Sequence, residues 1–164
     1  MNKIVNVGLI FKNRVGIVSQ VSKRIFENDG NIINSEMIKL GNHFAFDLNA
    51  TFRNEYDNKI FDNIENLYKH KHLKDEYLKD VYKTGIRLYS SDNPGIIHST
   101  SEKLESLNAD ITRLSSFVSP APFSSGPLFS LNVEFNINRS YPKDYILEQM
   151  QDVVNNYNCD IDIN

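Results

Sequence analysis

The sequence predicts an α+β protein made of two consecutive βαββαβ units, each an antiparallel sheet with both helices on one face. Three observations predict it. The chain states one pattern twice, 79 positions apart: residues 9–17 read Leu-Ile-Phe-Lys-Asn-Arg-Val-Gly-Ile and residues 88–96 read Leu-Tyr-Ser-Ser-Asp-Asn-Pro-Gly-Ile. The same offset matches Ser22 with Ser101 and Ile32 with Ile111. In both halves, apolar residues alternate at period two, then recur at helical spacing, then alternate again. An internal repeat sets the domain count ahead of chain length, so the expected units are residues 1–82 and 83–164.

Each element of the first unit has a local reason. Val5, Val7, Leu9 and Phe11 alternate as a strand, and residues 12–15 form the turn after it. From Gly16 the period changes, and Ile17, Val18, Val21, Ile25 and Phe26 mark one face of an amphipathic helix. Asp29-Gly30 stops it, as a glycine after a helix commonly does. Residues 32–40 and 43–52 are strands joined at Gly41-Asn42, a hairpin signal. A helix over 55–70, with Ile60, Phe61, Ile64, Leu67 and Tyr68 inward, and a polar edge strand over 75–82 complete the unit.

The second unit repeats the order. Ile86 and Leu88 lie on a strand, Asp92-Asn93-Pro94-Gly95 is the turn, and Ile97, Leu104 and Leu107 face inward on a helix over 95–108. Strands follow at 111–119 and 128–137, then a helix over 142–156 with Ile146, Met150, Val153 and Val154 inward, then a short strand at 158–163. The second hairpin is longer than the first. Its residues 119–127 hold three prolines, which make a stiff loop, either a lid or docking arm or a solvent loop with only local packing, with Phe123 near its tip. This element order is the split-βαβ or ferredoxin-like arrangement. A unit of this size buries only roughly 60% of its unfolded surface, so the units are expected to pack on each other or on another chain.

Composition narrows the function classes. The net charge is −3, divided as +1 over residues 1–82 (12 Lys and Arg, 11 Asp and Glu) and −4 over 83–164 (6 and 10). Neither half carries the basic stripe of a nucleic-acid binder. No apolar run reaches membrane-spanning length. Cys159 is the single cysteine, which excludes an intrachain disulfide and fits a reducing cytoplasm. His70 and His72 are two apart among lysines, which suits a helix C-terminus and not a metal. There is no nucleophile elbow, phosphate loop or metal-ligand spacing, so no catalytic residue, metal or cofactor is expected.

The residues that carry chemistry sit at the duplicated turns. A helix that starts at Gly16 or Gly95 offers free N–H groups and the positive end of its dipole to a carboxylate. Glycine there serves the tight turn, the close approach of a ligand, or both. Asp92 can hold an ammonium by a charge-assisted bond, or cap the helix start. Asn13 offers a carbonyl and an amide, and Arg14 a guanidinium. Asn31 and Asp110 open the second strand of each unit. His98 lies in the first turn of the second unit's helix.

The turns, helix starts and duplication together resemble tandem ACT domains. The pattern of that family, Asp-Arg-Pro-Gly-Ile followed by Gly-x-Asn-Ile, is matched by Asn13-Arg14-Val15-Gly16-Ile17 with Gly30-Asn31-Ile32. The second unit matches it with Asp92-Asn93-Pro94-Gly95-Ile96 and Ala109-Asp110-Ile111. The run Pro120-Ala121-Pro122, continuing to Pro127-Leu128-Phe129, resembles the second unit of the glycine cleavage system transcriptional repressor family. The departures are Asn13 for Asp, Val15 for Pro, Asn93 for Arg and Asp110 for Asn, so the two corners are not chemically equal. The resemblance implies a non-enzymatic, amino-acid-sensing regulator. Its ligand-binding residues would be Asn13, Arg14, Gly16, Ile17, Asn31, Asp92, Asn93, Gly95, Ile96 and Asp110. Its effector would be a small amino acid such as glycine. It would act through a transcription factor or a metabolic enzyme, without direct nucleic-acid or membrane binding, as a homodimer. An interaction module whose ligand site is degenerate is the rival expectation.

Overall fold

A computed structural model describes residues 3–54, 57–62, 64, 80–120 and 126–164. The first half runs β1 (Lys3–Lys12), α1 (Ile17–Glu27), β2 (Gly30–Leu40), β3 (His43–Phe52) and a 3-10 turn at Asn58–Phe61. The second runs β4 (Val81–Ser91), α2 (Ile96–Ser106), β5 (Asp110–Pro120), β6 (Pro127–Asn138), α3 (Lys143–Gln149), α4 (Gln151–Tyr157) and β7 (Asp160–Ile163). The strand-turn-helix expectation holds in both halves, with Gly16 and Gly95 at the same left-handed corner, φ 85° and 94°.

The described strands make one antiparallel sheet in the order β1-β3-β2-β5-β6-β4-β7. Outward from the β2–β5 seam, where Ser35 opposes Ser116 and Met37 opposes Leu114, β2-β3-β1 mirrors β5-β6-β4, and β7 adds a fourth strand on the second side. Both second strands bulge at the same step, between Ile32 and Asn34 and between Ile111 and Arg113. The seam solves the edge problem of each half, because the central strands satisfy one another's backbone groups. On the helix side α1 packs against α2, and Ser22 Oγ meets Ser101 Oγ at 3.2 Å. Small side chains at that crossing let the two helices approach closely.

One continuous core lies between the helices and the sheet. Val18, Val21 and Ile25 of α1, Ile97 and Leu104 of α2, and Phe44, Phe46, Phe129, Leu131 and Phe135 of the strands are all buried in it. The opposite face of the sheet is open. Ile4 and Ile10 on β1, Ile38 and Leu40 on β2, Phe117 on β5 and Leu128 on β6 are exposed there.

Three expectations change in detail. The helix expected over 142–156 is two short helices that meet at Met150, whose side chain stays buried with Ile146 and Val153 while Val154 is half-buried. Of the strand expected over 75–82, residues 81–82 belong to β4, and 75–79 lie outside the described residues. Of the helix expected over 55–70, the described part is the 3-10 turn with Phe61 and Ile64 buried; Leu67 and Tyr68 lie outside it. The Pro-rich hairpin closes at Pro120 opposite Pro127, and 121–125, with Phe123, lie outside the described residues. Among the described residues no helix is long and apolar enough to cross a membrane.

Candidate functional site

The antiparallel seam between β2 and β5 turns each half's second strand toward the other half's first turn. Asn31, at the start of β2, donates from Nδ2 to Asp92 Oδ1 at 3.1 Å and to Oδ2 at 3.3 Å. The counterpart runs the other way, with Asn13 Nδ2 donating to Asp110 Oδ1 at 3.3 Å. Four of the sequence-predicted site residues therefore form two crossed pairs. Each corner is built from one half's turn and the other half's strand.

The corner at Gly95 holds a narrow cleft lined by Ile25, Phe26, Asn31, Asn93, Gly95, Ile96 and His98, among others. About 10 Å³ of it is open to the centre of a water-sized sphere, the room of about one water. Its floor is the start of α2, where Gly95 caps the helix with no side-chain bond. The first free N–H groups of the helix therefore need another acceptor. Asp92 is not the capping residue, since its carboxylate goes to Asn31. Phe26, 43% exposed, forms part of its wall, and its ring lies 6.0 Å, centroid to centroid, from the His98 ring. His98 Nδ1 is buried without a hydrogen-bond partner. The Tyr157 hydroxyl stands beside Gly95 and meets Ser99 Oγ at 3.0 Å.

The corner at Gly16 has different surroundings. Lys39 Nζ binds Asp110 Oδ2 at 2.5 Å, with both side chains half-buried. The Glu105 carboxylate lies directly against the Cα of Gly16. Arg14, half-buried, reaches Gln20 Oε1 and donates to Ile64 O at 3.3 Å, so it braces the helix start and the turn at Ile64. Ile17 and Ile96 are core residues at 2% and 1% exposure, and Asn93 is exposed. Sequence reasoning missed Phe26 as a wall of the cleft, and it missed Glu105, Lys39 and Tyr157. The signal for the first two was the offset itself, because Phe26 and Glu105 are also 79 apart.

A wider depression lies on the open sheet face, lined by Arg87, Tyr89, Arg113, Ser115, Asn132 and Glu134. Two of its charges are already engaged, Arg113 with Glu36 at 3.7 Å and Glu134 with Lys83 at 2.6 Å. It has no helix start and no polar atom left buried without a partner. The chemistry therefore favours the Gly95 corner. Among the described residues no group of three or more His, Cys, Asp or Glu is placed to hold a metal.

The fold is ACT-like: two βαββ runs share one antiparallel sheet and bring each helix start against the other run's second strand. It superimposes on an aspartate kinase from Synechocystis with TM-score 0.63 at 12% identity, over 98% of this chain and 28% of that one. The chain thus spans just over a quarter of the kinase's length. Looser superpositions are found on an unknown protein from Galdieria sulphuraria (TM-score 0.48, 20% identity, 99% of this chain and 98% of that one) and on a protein assigned as a glycine cleavage system transcriptional repressor (0.40, 12%, 100% and 97%). No protein-family model and no curated protein matches the sequence.

Proposed function

We propose that this chain is a non-enzymatic, amino-acid-responsive regulator whose effector binds at the Gly95 corner. The Asn31–Asp92 pair carries the reading, because it bridges the two halves beside an uncapped helix start. An amino acid divides its charges as that corner divides its own. Its carboxylate suits the N–H groups and dipole of α2, and its ammonium suits Asp92. The ammonium competes with Asn31 for Asp92, so binding alters how the halves are tied together. Differential affinity for two arrangements, worth about 1–3 kcal/mol, is enough for regulation. Because the cleft has room for about one water, the Phe26 ring must swing outward to admit the ligand.

Glycine is the effector that the family resemblance suggests, and control of gene expression through a protein partner is the output it suggests, in the cytoplasm and without direct DNA contact. The apolar row Ile10, Ala45 and Ile38, adjacent across β1, β3 and β2 on the open face, gives a second copy of the chain a surface to cover. A second reading is an interaction module on a metabolic enzyme, with no ligand. The tightness of the Gly95 cleft favours it. A thermal-shift and calorimetry panel of the twenty standard amino acids separates the two. A rise in melting temperature with glycine or another small amino acid supports the sensor, and no shift with any of them leaves the interaction module.

A further inference from the structure

We propose that the chain has one working effector corner and not two, because Glu105 is a built-in occupant of the other. The inference rests on the amino-acid reading above and extends it to the Gly16 corner.

Phe26 and Glu105 are counterparts under the 79-residue offset, each in the last turn of its helix. Because α1 and α2 pack against one another, each leans over the start of the other helix. At Gly95 the neighbour is apolar: a Cβ there would come within 2.9 and 3.1 Å of two Phe26 ring carbons and 2.8 Å of the Tyr157 hydroxyl. At Gly16 the neighbour is a carboxylate: a Cβ would come within 2.2 Å of Glu105 Oε1, 2.5 Å of Cδ and 3.0 Å of Oε2. The group that an amino-acid ligand would bring to a helix start is already there, supplied by the chain.

The two corners also differ in charge. The Gly16 corner holds two carboxylates, Glu105 and Asp110, with Lys39 on Asp110 and the Arg14 guanidinium engaged with Gln20 Oε1 and Ile64 O. The Gly95 corner holds a single carboxylate, Asp92, with the Asn31 amide on it and the unpartnered His98 Nδ1 beside it. Glu105 also stands where a helix disfavours it, since an acid in the last turn opposes the dipole of α2. The start of α1 reverses that sign. The duplicated turn therefore serves as a sensor at Gly95 and as a clamp between the halves at Gly16.

The test is binding stoichiometry by calorimetry on the full chain, with glycine and the other nineteen standard amino acids as probes, for the native protein, E105A and E105Q. The half-exposed position of Glu105 lets both variants fold, which a thermal melt checks. The expected result is one equivalent for the native chain, two for E105A, and one for E105Q, whose side chain keeps the bulk. Two equivalents on the native chain, or one on both the native chain and E105A, overturns the proposal and leaves the effector reading standing. No binding to the native chain with one equivalent on E105A overturns the effector reading and upholds Glu105 as the occupant. No binding to either overturns both.

Discussion

Asn31 and Asp92 lie 61 positions apart in the chain and share a hydrogen bond of 3.1 Å across the two halves of the molecule. The bond exists because β2 starts beside the turn that feeds α2. If Asp92 holds the ammonium of the effector, Asp92→Asn keeps the size and removes the charge. A charged hydrogen bond contributes about 1.5–3 kcal/mol, so the affinity measured by calorimetry should fall roughly 10- to 100-fold. Asn13→Ala, in the other corner, should leave that affinity unchanged. Equal losses from the two variants would contradict the assignment.

Much of the fold was legible because its signals are local. Gly41-Asn42 lies between two alternating runs, and Gly16-Ile17 and Gly95-Ile96 mark the shift from period two to helical spacing. The candidate residues were legible too, since Asn13, Asn31, Asp92 and Asp110 stand at turns and strand starts. Their partners were not. That Asn31 meets Asp92 and Asn13 meets Asp110 depends on β2 pairing antiparallel with β5, which no local pattern encodes. Lys39 was missed for the same reason, and Tyr157 because its hydroxyl meets Ser99 only through the packing of α4 on α2. The break at Met150 was missed because Ile146, Met150 and Val153 keep helical spacing through it.

Gly95→Ala should destabilise the chain more than Gly41→Ala does. Both positions have positive φ, 94° and 59°, where a side chain costs about 1–2 kcal/mol. At Gly41 a Cβ meets nothing within 4 Å, whereas at Gly95 it meets Tyr157 and Phe26 at under 3 Å. The expected losses are about 1 kcal/mol at Gly41 and about 2–3 kcal/mol at Gly95. For a chain of this length that difference separates the melting temperatures by roughly 2–8 °C. Equal melting temperatures would mean that the Gly95 corner is looser than its geometry implies.

The serine pair at the helix crossing is a spacing device more than a bond. Ser22 Oγ already donates to Val18 O at 2.8 Å and Ser101 Oγ to Ile97 O at 2.7 Å, so each hydroxyl proton has an acceptor within its own helix. Ser22→Ala should therefore cost no more than about 1 kcal/mol in urea unfolding. Ser22→Leu forces α1 away from α2 and should cost about 3 kcal/mol or more. It should also weaken effector binding, because Phe26 moves with α1. A leucine variant with native stability would show that the helices do not meet closely there.

Cys159 should remain a thiol well into alkaline solution. It is 6% exposed. Burial pushes its ionisation up and the neighbouring Asp160 carboxylate adds to the effect, while a hydrogen bond with Ser90 opposes both. In the unfolded chain the thiol ionises near its ordinary value of about 8.5. Above that pH the unfolded state has lost a proton that the folded state keeps, so this group's contribution to stability is full below about 8.5 and falls as pH rises. The measurement is urea unfolding at pH 7 and pH 9.5 for the native chain and for Cys159→Ala. The native chain should lose more stability than the variant over that interval, because the alanine removes this titration and leaves the others in place. Reaction with a thiol reagent at pH 8 gives an independent check. It should be slow in buffer and complete within minutes in concentrated urea, and equal rates in both would show that the thiol is open to solvent in the folded state.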